Sequence, residues 1–166
     1  EFDDVNPVGL YAKSKYAGEK FVIQLMTRYV IIRSSWIYGI GKDFLNEVLE
    51  AAADPQVSTM ELLNNDRAVP TSAAELARVV KFFIDNDHYG IYHAVCSGGS
   101  CTRLEFAEEI LRLAGKEDQL TVTVKDRAPE KYSVLDNMML RLTGIEEPSG
   151  WRETLACYMK ETGGLE

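Results

Sequence analysis

Residues 6–35 read NPVGLYAKSKYAGEKFVIQLMTRYVIIRSS, and two folding patterns meet in them. Residues 8–28 suit a helix, with Pro7 near its start and the small residues Ala12, Ala17 and Gly18 on one side. Residues 29–35, YVIIRSS, read as an apolar run with β-branched residues at 30–32, the pattern of a strand buried on both faces. A long helix feeding such a strand predicts one end of a parallel sheet whose earlier strands lie outside this chain.

The rest of the sequence continues the alternation. Helical spacing recurs over 42–53, 72–85 and 102–115, with capping boxes predicted at Ser72/Glu75 and Thr102/Glu105 and a stop at Gly115. Strands are predicted over 57–63, 90–95 and 120–124, a turn at Asn64-Asn65-Asp66, and two short helices near 134–143 and 149–161. This order predicts an α/β architecture.

Composition narrows the function classes. The 166 residues are 46% hydrophobic and 27% charged, ordinary for a water-soluble domain. A net charge of −8 argues against nucleic-acid or anionic-membrane partners, whose phosphates it would repel. No apolar run approaches the roughly 20 residues of a membrane span. Three cysteines without framework spacing predict a reducing, cytoplasmic setting. His93, Cys96 and Cys101 lack the second ligand pair of a tetrahedral zinc site, so no metal site is predicted and these residues read as packing. The Gly98-Gly99 loop matches no phosphate-binding pattern, and no G-x-G-x-x-G occurs in the chain.

Chemistry enters with tyrosine and lysine four residues apart, a spacing that occurs three times: Tyr11–Lys15, Tyr16–Lys20 and Tyr38–Lys42. On a helix, residues four apart share a face. Five helical steps rotate the second pair about 140° from the first, so only one of the two can address a given cleft. The third straddles Gly39 and Gly41, which suits a loop. Ser14 and Gly18 flank Lys15, giving Y-x-x-S-K-x-x-G-E from Tyr11 to Glu19.

That string resembles the signature of the extended short-chain dehydrogenase/reductase family. RSSWIYGIGKDF (33–44), VPTSAAELA (69–77), GIYHAVCSGGSCTRLEFAEEI (90–110), RAPEKYSVLD (127–136) and GWRETL (150–155) follow in family order. Together they are similar to the dTDP-4-dehydrorhamnose reductases. The resemblance implies the C-terminal part of a Rossmann-like fold with its small substrate-binding region. Residues 1–41 would end the dinucleotide-binding domain and 42–166 would be mainly substrate-binding. The N-terminal half with the glycine loop is absent from this sequence, which opens at Glu1 without methionine, so an isolated chain inactive on its own is expected.

By the same resemblance the activity is reduction of the 4-keto group of dTDP-4-dehydro-rhamnose to dTDP-L-rhamnose by NADPH. NADH is the alternative, because the residue that discriminates them belongs to the other half. Tyr11 is implied as proton donor and Lys15 as its electrostatic partner and ribose contact, both also binding cofactor. Tyrosine titrates near pH 10, able to protonate an alkoxide, and a nearby ammonium favours the phenolate. Ser34 and Ser35 are implied beside the nicotinamide, and Trp36 and Arg127 in the substrate site, with Thr71 and Ser133 as weaker candidates there. The alternative for Trp36, the lesser of the two, is plain core. Asp43, where asparagine is common in the family, would repel an anionic ligand if turned inward. Tyr16, Lys20, Glu146 and Glu147 read as solvated surface. The implied partners are a dTDP-sugar and either a second copy or the missing half. A non-catalytic regulatory subunit of the same fold, or a nucleotide-sugar epimerase or dehydratase, are the other readings.

Overall fold

A computed structural model describes residues 1–63, 66–125 and 131–163; Asn64, Asn65 and Arg127 lie outside them. The chain opens with helix α1 (Gly9–Leu25), followed by strands β1 (Val30–Arg33) and β2 (Ile37–Tyr38) and helix α2 (Phe44–Ala53). Then come β3 (Thr59–Leu62), β4 (Arg67–Ala68), β5 (Thr71–Ser72), α3 (Ala73–Asp85) and β6 (Gly90–His93). β7 (Cys101–Thr102), α4 (Arg103–Ala114), β8 (Thr121–Val124), α5 (Met138–Leu142) and α6 (Trp151–Glu161) complete it. Among the described residues no helix is long and apolar enough to cross a membrane.

The strands pair two by two. β1 runs parallel to β6, β2 to β5 and β3 to β8, while β4 and β7 are antiparallel. The long helix leads into a parallel pair, as the opening stretch predicts. One expectation is corrected: β1 is half-buried along its whole length, not buried on both faces. Val30 and Ile32 pack on the cluster of Val79, Phe83, Tyr92 and Leu140. On the α1 side, cover is thin, because α1 contains no buried residue at all. Leu10, Phe21 and Leu25 on that helix are exposed.

A larger core joins α2, α4, α6 and β8 around Phe106, whose ring lies 5.9 Å from those of Tyr38, Phe44 and Trp151. α4 is placed by its own sequence. Thr102 accepts from Glu105 N–H at 3.1 Å and the Glu105 carboxylate accepts from Thr102 N–H at 2.7 Å. Gly115, at φ 63°, turns the chain into the left-handed conformation that closes the helix. The box predicted at Ser72 does not form. Ser72 is held in the β5 ladder opposite Tyr38, while the Glu75 carboxylate is taken by Arg78 at 3.0 Å and Ser149 N–H at 3.0 Å.

Candidate active site

α1 is tied to the last residue of β1 by one side-chain pair. Arg33 donates from Nε and Nη2 to the two Glu19 oxygens at 2.9 and 2.6 Å, a bidentate pair on two largely covered side chains. Glu19 lies six residues back from the helix end, about 9 Å, and Arg33 three residues into the strand, about 10 Å, so the lengths match. Tyr11 and Lys15 therefore project beyond the carboxyl end of β1, where ligands bind in open parallel sheets.

Lys15 Nζ sits 5.6 Å from the Tyr11 ring centre, and Lys20 stands 5.4 Å from Tyr16 in the same way. Their surroundings separate the pairs. Tyr11 is 76% exposed, whereas Tyr16 is half-buried on the side of Arg33, which corrects its reading as solvated surface. Among the described residues neither the Tyr11 hydroxyl nor the Lys15 ammonium has a hydrogen-bonding or ionic partner, leaving both free for a ligand. The third pair is split: Tyr38 is buried and its hydroxyl meets Thr154 Oγ1 at 2.9 Å, while Lys42 is exposed.

Beyond the strand the other predicted residues diverge. Ser34 donates its hydroxyl to Ala94 O at 2.8 Å, stapling the end of β1 to the end of β6; Ser35 is half-buried beside it. Trp36 takes φ 39°, a left-handed conformation costly for a bulky residue. Its carbonyl accepts Thr71 N–H at 3.1 Å. Thr71 is fully buried, its hydroxyl donating to Val69 O, so its place in the fold is under Trp36 and not at the surface. Asp43 is spent as the cap of α2, accepting from Gly39 N–H and Asn46 N–H at 2.8 and 2.9 Å. Ser133 is exposed and pairs through its N–H with Arg67 O. Arg127 is among the residues not described.

Three contributors escape a reading of the sequence alone. Asn137, buried, accepts Val95 N–H at 2.9 Å and donates to Val95 O at 2.7 Å, closing the end of β6. The Glu1 carboxylate accepts His93 N–H at 2.9 Å. Arg103 lies over the rings of Trp36 and Phe44. The partners of all three are distant in sequence, so no local pattern marks them. Cys96 and Cys101 are buried in the larger core, and burial pushes the Cys101 thiol up to about 12. No group of metal-ligating side chains occurs among the described residues.

Comparison with known proteins adds a second line. Residues 1–163 match the family model of the RmlD substrate binding domain. The spore coat polysaccharide biosynthesis protein SpsK of Bacillus subtilis is 34% identical over 97% of this chain and 57% of its own length. A dTDP-4-dehydrorhamnose reductase from Bacillus anthracis, solved with NADP, superposes with a TM-score of 0.88 at 32% identity over 98% of this chain and 58% of that one. A Clostridium acetobutylicum dTDP-4-dehydrorhamnose reductase does so at 0.87 and 36%, over 98% and 59%. The chain thus spans somewhat over half the length of these relatives.

Proposed function

Since this chain belongs to the RmlD substrate-binding domain family, we propose that it is the substrate-binding part of an NADPH-dependent reductase acting on the 4-keto group of dTDP-4-dehydro-rhamnose. Residues 1–41 would complete a dinucleotide-binding domain and 42–166 would hold the sugar nucleotide. The observation carrying this reading is the free Tyr11–Lys15 pair beyond the carboxyl end of β1, within a family match that runs nearly the whole chain.

The donors present suit the cofactor and the reaction. An unpartnered ammonium fits ribose hydroxyls, and an unpartnered phenol fits a ketone oxygen. NADPH, when bound, supplies the hydride. Tyr11 then gives its hydroxyl proton to the alkoxide oxygen formed at C4, leaving phenolate beside the Lys15 ammonium, which stabilises that charge. Ser34, already donating to Ala94 O, positions the strand end and offers the cofactor only its lone pairs.

The test uses the protein extended to include its dinucleotide-binding half. Tyr11→Phe should lower kcat for dTDP-4-dehydro-rhamnose by roughly 10²–10⁴-fold with little change in NADPH affinity, as expected for loss of a general acid. Tyr16→Phe should leave the turnover within about twofold, because five helical steps turn Tyr16 about 140° away from Tyr11, towards Arg33 and not the cleft. Near-normal turnover in Tyr11→Phe would refute the assignment.

A further inference from the structure

We propose that Arg103 is a binding residue for the diphosphate of the nucleotide sugar, held ready on the rings of Trp36 and Phe44. This rests on the reductase reading above for the identity of the ligand, although its geometry stands by itself.

The guanidinium carbon sits 4.0 Å from the Trp36 ring centre and 4.5 Å from that of Phe44. Stacking engages the flat faces of a guanidinium and leaves its N–H groups at the rim, the arrangement that receives two oxygens of a phosphate or carboxylate at once. The side chain is half-buried. Among the described residues it makes no hydrogen bond, and no carboxylate lies within ion-pair distance; Asp66 and Glu47 are felt only from farther away. Burial itself disfavours the charged form, and among the described residues Asp66 and Glu47, beyond ion-pair distance, act against it. A structural arginine would ordinarily be given its anion; this one is given a stack.

Its place adds to the argument. Trp36 follows the carboxyl end of β1 in a strained left-handed conformation, and Arg103 is the first residue of α4, whose amino-terminal end carries partial positive charge. In a chain of net charge −8, this is a local positive point beside an aromatic wall at the ligand-binding end of a strand. The stack also changes the role of Trp36. A sugar nucleotide approaching that ring face meets the guanidinium first, so Trp36 acts by orienting Arg103.

A diphosphate could belong to the sugar nucleotide or to the dinucleotide, and binding experiments on the 166-residue chain separate them. Trp151 is fully buried and Trp36 half-buried, so ligand-dependent tryptophan emission reports on Trp36. Thymidine diphosphate and inorganic pyrophosphate should change that emission saturably. R103Q should weaken thymidine diphosphate binding by about tenfold or more, the loss of charge-assisted hydrogen bonds, while R103K, keeping charge but not the fork, should fall between. Thymidine and ADP-ribose should be indifferent to both substitutions. Melting curves of both variants verify folding, and R103K decides the matter should R103Q be misfolded.

Equal thymidine diphosphate affinity in the unsubstituted chain and the folded variants, no diphosphate binding at all, or dependence on Arg103 for ADP-ribose alone would each overturn the proposal. The reductase reading fails separately, through turnover retained in Tyr11→Phe. Arg103-dependent diphosphate binding would survive that result.

Discussion

His93 ends β6 with its ring enclosed, its Nδ1–H donating to Asp136 O at 3.0 Å and the Glu1 carboxylate 3.9 Å from the same nitrogen. Burial lowers its pKa from the usual 6.5, outweighing the opposing pull of Glu1; Arg33 and the amino terminus add to the lowering. The unfolded chain therefore binds this proton more readily than the folded one. Stability from His93 is fully present above about pH 6.5 and is lost as the pH falls through the folded value. The melting temperature should drop between pH 7.5 and 5, and His93→Gln should flatten that slope even if it lowers stability at pH 7.5. Parallel slopes for the two proteins would remove His93 as the cause. Asp136, whose carboxyl is held low by the Arg141 guanidinium, contributes in the same direction below its ordinary value of 3.8, in a separate window.

Among the elements, α3 and α4 carry the same capping signature and behave differently. At α4 both reciprocal bonds form, so Thr102→Ala should cost about 1 kcal/mol in urea denaturation. At α3 the Ser72 hydroxyl caps nothing, so Ser72→Ala removes no cap and should cost less than Thr102→Ala. Equal costs at the two positions would mean that the Ser72 cap forms in solution. The contrast shows what a sequence can carry. α4 was legible at both ends because Thr102, Glu105 and Gly115 act within a few residues. The box at α3 failed because Glu75 is claimed by Ser149, 74 residues away. For the same reason Tyr11 and Lys15 could be picked out by spacing and flanking residues, whereas Arg103 could not. Its meaning depends on Trp36 and Phe44, which only the folded chain brings under it. The two-residue strands β2, β4, β5 and β7 are too short for any hydrophobic period to register.

For the molecule as a whole, the uneven distribution of cover has a consequence. The larger core is closed on itself by Phe106, Trp151 and Leu155, all essentially inaccessible. The α1–β1 side is not closed. Leu10, Phe21, Leu25 and Met26 stand 85%, 63%, 77% and 55% exposed on one helix and its end, apolar side chains that a partner surface would cover. Beneath it, β1 pairs only with β6 among the described residues, leaving the backbone groups of its other edge available. This chain spans somewhat over half the length of its relatives, and a second copy is the cover available to it alone. The 166-residue protein should therefore self-associate, its weight-average mass in sedimentation equilibrium rising with concentration. Phe21→Ser with Leu25→Ser should shift that curve towards the monomer without lowering the melting temperature, since neither side chain is buried. Monomer at every concentration would show that the uncovered helix is tolerated in water. An unchanged curve in the double variant would move the contact elsewhere, with the open edge of β1 the next surface to test.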